Sequence, residues 1–427
     1  MKRIFLYIVS CSWFFGCVEA FDPVDIVDVL DGALVVDARL HDGAMEQDIF
    51  LTRTFNLSDS GPLPETGALV KLMPSDGATI EFAEQENGRY TSVVPLDLQS
   101  GKSYQLQIIT KDGVQYLSDS TIMPPKAPMN GIRAERRLNG FETDGVAILV
   151  DTEVPLDGQA YFRFEFEETY RIIAPDPNPF DWDQIDYDIN DGDGWEVTVA
   201  PRNGLVHICY GNNSSNSIVL ASTEGLTTNT LKDFQVRFIA STNYALSHRY
   251  SILVRQYHHD GNAASFFGSL QDFSSVESVF SNVQTGRLEG NIRVQNSSVA
   301  QVFGYFELSS VSVKRLFFNH DDIFPGEEKP EYLINCSTGL PPLYPEGFHI
   351  TPAPSGDGFV VDGNGNSPLI EGILAGLYAY HAENEDYEEW LQTEGLGGAA
   401  PFLVKPKGCV DCTVFGGTQP PEFWIEE

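Results

Sequence analysis

Basic residues are scarce in this chain. Its 427 residues include only 26 Lys and Arg against 61 Asp and Glu, which gives a formal charge of −35 at pH 7. Nucleic acids and anionic membrane surfaces would repel a protein of this charge, so the sequence predicts no nucleic-acid partner. Long apolar runs are lacking as well: after the first 16 residues, no segment reaches the ~18 apolar residues of a membrane-spanning helix.

The motifs of several enzyme classes are missing too. The sequence has no Gly-x-Ser-x-Gly elbow, no phosphate-binding loop and no His-Glu-x-x-His pair. Its eight His are scattered except for His258 and His259, whose side chains would point to opposite faces of a strand and could not share a metal ion. Acid pairs cannot be picked out among 61 carboxylates, so a glycan-active surface hydrolase stays open as an alternative function.

The N-terminus has the features of a lipoprotein signal peptide. Lys2 and Arg3 precede an apolar run of residues 4–15, which is too short to span a bilayer, and Gly16 stands directly before Cys17. We expect residues 1–16 to be cleaved and Cys17 to be acylated, with Cys11 as a second candidate. The alternative is a buried hydrophobic N-terminal strand with an incidental cysteine.

Residues 17–27 would then form an acylated tether that inserts into a membrane leaflet through its acyl chains. Glu19 and Asp22 place negative charge directly after the anchor. These acids indicate either a solvated tether or a sorting signal for surface export. The expected location is the outer membrane, on its cell-surface face.

Strand and turn signals dominate the rest of the chain. The 28 Phe and 17 Tyr, together with 38 Gly and 25 Pro, favour strands joined by turns. Residues 28–123 alternate apolar and polar positions between tight-turn pairs, which predicts an immunoglobulin-like or transthyretin-like sandwich. A Pro-rich linker at 124–131 then precedes a larger β-rich domain at 132–427. That domain has helices expected at 264–273 and 381–391 and an irregular C-terminal region.

Four cysteines remain after the signal region: Cys209, Cys336, Cys409 and Cys412. An even number in an exported chain predicts two disulfides, in any of three pairings. A zinc site made by all four, or a redox pair at Cys409 and Cys412, are the alternatives.

Residues 176–195 combine many Asp with several aromatics. Asp186, Asp188 and Asn190 fall at positions one, three and five of a calcium loop. Asp191 stands where that loop needs Gly, and Val197 where it needs a bidentate Glu, so no cofactor is predicted and calcium is only a weak candidate. Four aromatics suggest a contact with a partner or a sugar, against the alternative of a solvated acidic loop: Phe180, Trp182, Tyr187 and Trp195.

Several blocks of the sequence, taken in order, resemble one family. They are residues 17–23 (CVEAFDP), 34–38 (LVVDA), 67–70 (GALV), 161–166 (YFRFEF), 254–257 (VRQY), 290–292 (GNI), 302–306 (VFGYF), 409–412 (CVDC), the glycines at 416–417 and 421–424 (PEFW). The chain is similar to the Bacteroidota lipoproteins catalogued as domain of unknown function 4249.

The resemblance implies a role beside TonB-dependent outer-membrane transporters, and it carries over no catalytic residue. We therefore expect a non-enzymatic accessory or substrate-capture partner of such a transporter. The rivals are the surface hydrolase and a purely structural or assembly subunit.

Overall fold

A computed structural model of the chain describes residues 32–55, 61–154, 158–187, 194–202, 204, 206–275, 288–352 and 359–426. Cys11, Cys17 and the expected tether lie outside these residues. The chain is mostly β, as its strand and turn pattern predicted. None of the helices in the described part combines the length and the apolar character that a bilayer crossing needs.

The strands are β1 Leu34–His41, β2 Asp48–Arg53, β3 Leu63–Pro64, β4 Leu69–Pro74, β5 Ile80–Glu84, β6 Arg89–Ser92, β7 Ser103–Ile109, β8 Gln115–Ser118, β9 Thr121–Ile122, β10 Met129–Leu138, β11 Asp144–Glu153, β12 Tyr161–Ile173, β13 Phe180–Asp186, β14 Glu196–Pro201, β15 Ile208–Ser214, β16 Val219–Ser222, β17 Thr230–Ala240, β18 Tyr250–His259, β19 Ile292–Val294, β20 Val302–Phe318, β21 His349–Pro352, β22 Phe359–Asp362, β23 Tyr378–Glu383 and β24 Phe402–Pro406. The helices are α1 Gly261–Ser275, α2 His320–Ile323, α3 Pro368–Leu374, α4 Tyr387–Thr393 and α5 Lys407–Val410, with 3-10 turns at Tyr244–Leu246 and Cys412–Val414.

Two compact units divide the chain. The first consists of the described part of Met1–Pro125 together with His259–Ser310, and the second of Lys126–His258 together with Val311–Glu427. The first junction falls inside the Pro-rich segment 124–131. The strand pattern predicted one continuous domain at 132–427, whereas residues 259–310 belong with the N-terminal unit. Local strand patterns could not predict that the chain returns to the N-terminal unit at residues 259–310, because this return depends on pairing between distant segments.

The first unit is a β-sandwich-like arrangement built on β1. Leu34, Val36, Ala38 and Leu40 alternate with polar residues along this strand, and all four are buried in the core. β1 pairs with β2 in antiparallel fashion and with residues 302–309 of β20 in parallel. Beyond β2 the order of neighbours is β6, β5, β4, β7, β8 and β19.

One glycine makes the parallel pair possible. Gly304 lies opposite Val36, and its φ of +107° is a conformation that residues with a Cβ rarely adopt. A Cβ there would come within 1.9 Å of the carbonyl oxygen of Val36. Only glycine therefore allows the two strands to approach this closely.

The second unit has its core between β11 and β12. Residues 146–150 of β11 are all fully buried, as expected of a central strand with both faces covered. On β12, Phe162, Phe164 and Phe166 share the buried face that period-two patterning predicted. Arg163, on the other face, is also buried, because it pairs with Glu165 and its guanidinium lies 4.5 Å from the centre of the Tyr257 ring.

The two predicted helices have different outcomes. The helix predicted at 264–273 is confirmed as α1. The helix predicted at 381–391 is partly wrong, since its first residues belong to strand β23 and only α4 is helical. β23 hydrogen-bonds with β24, a partner beyond the window that local periodicity samples, and this pairing overrides the helical pattern.

Both predicted disulfides are present in the second unit. Cys209 is bonded to Cys412, and Cys336 to Cys409. The structure thus selects one of the three open pairings. With all four sulfur atoms in these two disulfides, it does not fit the alternatives of a four-cysteine zinc site or of a redox pair at Cys409 and Cys412. The two cysteines of that motif cross-link different partners and are fully buried.

Replacing Cys336 and Cys409 together by Ser should lower the free energy of unfolding by about 2–5 kcal/mol, because the cross-link restricts the unfolded chain. Guanidinium denaturation of parent and variant measures this difference. Peptide mapping without reductant should recover 209–412 and 336–409 cross-links. A 409–412 linked peptide, or free thiols in the denatured parent, would contradict the pairing.

Phe162→Ala should lower the free energy of unfolding by about 3–5 kcal/mol, since Phe162 is fully buried and its removal leaves a cavity. Phe141→Ala is the matched control, because Phe141 is 91% exposed at the turn between β10 and β11 and should change stability by no more than about 0.5 kcal/mol. Urea unfolding of both variants gives the comparison. Equal losses of unfolding free energy in the two variants would show that Phe162 of β12 does not contribute to a stabilising core.

Candidate functional site

In the acidic aromatic segment, residues 180–186 form β13. This strand pairs in antiparallel fashion with β14, which begins directly after the segment. Trp195 is 8% exposed and stacks on Tyr344, with ring centres 4.8 Å apart. Trp182 donates its indole N–H to the carbonyl of Tyr378 over 3.1 Å. Both tryptophans therefore contribute to a small core rather than to a free surface.

The other two aromatics differ in exposure. The hydroxyl of Tyr187 donates to Glu371 over 3.0 Å and accepts the backbone N–H of Ser367 over 2.9 Å. Phe180 is 42% exposed and touches Tyr380 only edge-on, at 6.3 Å between ring centres. Of the four residues predicted to contact a partner, Phe180 is the one that the structure leaves mainly at the surface.

The weak calcium candidates are only partly described. Asp186 is the last residue of β13, where it pairs with Glu196 on β14. Asp188 and Asn190 lie outside the described residues. Within the described ranges, no group of three or more His, Cys, Asp or Glu side chains is placed to hold a metal ion.

A cleft of about 530 Å³ lies in the first unit, and we call it the acidic cleft. It gathers side chains from four places in the sequence: the turn between β8 and β9, the start of α1, the segment before β19, and β20. Its polar and aromatic lining includes Asp119, Asp260, Asn262, Glu289, Asn291 and Tyr305.

Local hydrogen bonds hold this lining in place. Asp260 caps α1 by accepting the backbone N–H of Ala263 over 2.8 Å. The side chain of Asn291 exchanges two hydrogen bonds of 2.8 Å with the backbone of Phe306, which is next to the cleft residue Tyr305. The cleft is therefore built before any ligand arrives, as small-molecule sites usually are.

Tyr305 supplies both an apolar face and a hydroxyl. Its ring stacks on Phe266 of α1 at 4.8 Å between centres. Burial, reinforced by the charges of Asp260, Glu307 and Asp119, raises the pKa of Tyr305 well above its usual value. The hydroxyl thus stays protonated. Carboxylates and amides around stacked rings suit a ligand that offers hydroxyl or ammonium donors to an aromatic wall.

The local sequence does not predict this cleft, because its three carboxylates cannot be told apart from the other 58 acids of the chain. A signal was nevertheless present. Two of the blocks that carry the family resemblance, 290–292 and 302–306, contribute Gly290, Asn291 and Tyr305 to the lining.

A second cleft, of about 300 Å³, lies in the second unit, and we call it the basic cleft. Its cationic and imidazole side chains come from β12, from the segment before β18, from α2 and from the loop after α2. They are Arg171, Arg249, Lys329, His248 and His320. In a chain with so few cations, three permanent positive charges around one cleft are a marked local concentration.

Burial, together with the positive charges of Lys329, Arg171 and His320, lowers the pKa of His248 from 6.5 to about 4. The unfolded chain therefore binds more protons than the native chain between these values. The stability that depends on a neutral His248 is complete above about pH 6.5 and is lost as the pH falls towards 4.

His248→Gln should remove this contribution. Urea unfolding of parent and variant at several pH values between 4 and 7 measures it, and the parent should lose more stability on acidification than the variant does. Parallel losses in the two proteins would contradict the lowered pKa.

Comparison with known proteins adds a family but no described activity. A search of curated proteins found no match to the chain. A family model described as "Domain of unknown function (DUF4249)" matches residues 22–315, which is more than half of the sequence. The match includes β1, β20 up to Arg315 and every residue named in the acidic cleft. The chain belongs to the DUF4249 family.

Proposed function

We propose that this protein is a lipoprotein held in the outer membrane by acylated Cys17, exposed at the cell surface of a member of the Bacteroidota. There it captures a ligand for a TonB-dependent transporter and assembles with that transporter. Its anchorage is lipid alone, and it binds no nucleic acid.

The anchor is supported by the start of the sequence. The apolar run ends at Gly16 and Cys17, and the family match begins at residue 22, within a few residues of that cysteine. A short tether of this kind would keep the first unit close to the membrane. Tethering near a pore raises the local concentration of captured ligand without any new contact.

The observation that carries the capture role is the acidic cleft. It is preformed, it pairs the rings of Phe266 and Tyr305, and it surrounds them with hydrogen-bond acceptors. These properties favour a polyhydroxyl or cationic solute over an anion, because the carboxylates would repel negative charge.

The same cleft supports a second candidate function. Asp119, Asp260 and Glu289 place three carboxylates around one cavity, which is the residue type that glycoside hydrolysis uses. A glycan-active surface hydrolase is therefore the enzyme alternative. An assembly subunit that binds the transporter and no solute is the structural alternative.

Affinity capture of the full chain, tagged after its last residue, from gently solubilised outer membranes should recover a TonB-dependent transporter, identified by mass spectrometry. Cys17→Ser should leave the membrane fraction and recover much less transporter. Cys11→Ser is the matched control and should behave like the parent. A Cys17→Ser variant that stays membrane-bound, or capture without transporter, would contradict the proposal.

Asp260→Asn and Asp119→Asn then separate the alternatives. Loss of solute uptake with normal transporter recovery supports capture through the acidic cleft. Release of reducing sugar from surface glycans by the parent, abolished in these variants, would favour the hydrolase instead. Unchanged uptake would favour the assembly subunit.

A further inference from the structure

We propose that the acidic cleft of the first unit recognises a protonated amine, so that the captured solute is an amine-bearing compound rather than a neutral polyhydroxyl compound. An amino sugar and a polyamine both offer this chemistry. The inference rests on the proposed capture function, because it names the chemical class of the solute that the same cleft takes.

The negative charge of the acidic cleft is not neutralised by the described part of the chain. Asp119, Asp260 and Glu289 line the cavity, and no Lys, Arg or His is among the described residues that line it. None of these three carboxylates forms an ion pair with a side chain that the structure describes. Three like charges around one cavity repel one another, and a bound cation would relieve that repulsion.

Two buried hydroxyl groups in the cleft also lack a partner. Tyr305 is 7% exposed and Thr121 is 6% exposed, and both side chains line the cavity. Within the described ranges, neither hydroxyl makes a hydrogen bond. Buried polar groups without partners are rare in folded proteins, because each one loses its hydrogen bonds to water. The two hydroxyls therefore indicate a bound molecule that supplies the missing bonds.

An ammonium group supplies what both kinds of side chain need. It donates three hydrogen bonds, which carboxylates and hydroxyl lone pairs can accept. Burial raises the pKa of Tyr305, so its hydroxyl stays uncharged and can accept such a bond. A neutral polyhydroxyl compound could also donate to these acceptors, but it would leave the charge of the three carboxylates in place. Hydrogen bonds from a charged donor are also roughly twice as strong as those between neutral groups.

The cavity has room for the organic body that carries the amine. Its volume of about 530 Å³ is far larger than a single ion requires and falls in the range of small-molecule sites. Phe266, Tyr305 and Leu288 give it apolar surface, and the face of an aromatic ring attracts a cation. Among the described residues, no three acids are placed to hold one metal ion. The arrangement thus suits a ligand that spreads its contacts over the cavity.

Isothermal titration of the full chain with glucosamine and, separately, with spermidine tests the ligand class. Glucose and a linear octanediol are the matched neutral ligands, since each has a similar body and lacks the amine. At least one amine should bind saturably and about tenfold or more tightly than its neutral counterpart. A preference for glucosamine or for spermidine then distinguishes an amino sugar from a polyamine.

The inference and the capture function fail in different ways. Glucose that binds as tightly as glucosamine, or no saturable binding of either amine, would overturn the amine class and leave capture of a neutral solute standing. Saturable amine binding, together with solute uptake that is unchanged when the cleft carboxylates are replaced, would support the ligand class and overturn the capture function.

Asp119→Asn combined with Glu289→Gln should weaken amine binding by about fivefold or more, because two exposed carboxylates each contribute modestly. Asp97→Asn combined with Glu46→Gln is the matched control. It removes the same charge from the same unit at exposed positions that do not line the cleft. Equal affinities of the two double variants would reduce amine binding to the general charge of the chain and refute the site.

Tyr305→Phe should weaken amine binding by about three- to tenfold, because the ligand loses one hydrogen bond. Its urea unfolding midpoint should not fall below that of the parent, since the hydroxyl has no partner to lose in the described part of the chain. A hydroxyl with a purely structural role would give the reverse result: a lower midpoint with unchanged affinity. That result would contradict the proposal.

Discussion

The parallel pairing of β1 with the start of β20 is the interaction on which the N-terminal unit depends. It joins residues 34–41 to residues 302–309 across more than half of the chain. Closing so long a loop has an entropic cost, which the buried alternate residues of β1 and the close approach at Gly304 must offset. The same return brings Asn291 and Tyr305 beside Asp119 and so creates the acidic cleft.

How far the sequence predicts this fold depends on the range of the contacts. Period-two alternation identified β1 and the inward face of β12, because the pattern of a strand is local. The helical pattern at 381–391 failed where β23 pairs with a distant strand, and the return of 259–310 had no local signal. Among the candidate sites, the even number of cysteines was enough to predict two disulfides. Which cysteines pair could be seen only in the folded chain. The same holds for which of the many carboxylates line the acidic cleft.

The distribution of charge differs between the two units. Most arginines of this acidic chain are engaged by carboxylates, and Arg133 contacts three of them: Glu135, Asp151 and Asp233. Lys329 of the basic cleft faces the imidazole of His248 instead. The cleft of the first unit is thus lined with carboxylates, while the cleft of the second unit is lined mainly with cationic and imidazole side chains.

The positions of the two disulfides also set an order of events. Both bonds need a cysteine of the segment 409–412, Cys409 for one and Cys412 for the other, and the shorter loop lies inside the longer one. A chain that is synthesised from its N-terminus can therefore form neither native bond until this segment has been made. A product that is truncated before residue 409 would never acquire either cross-link, so the segment 409–412 acts as a checkpoint for maturation of the second unit.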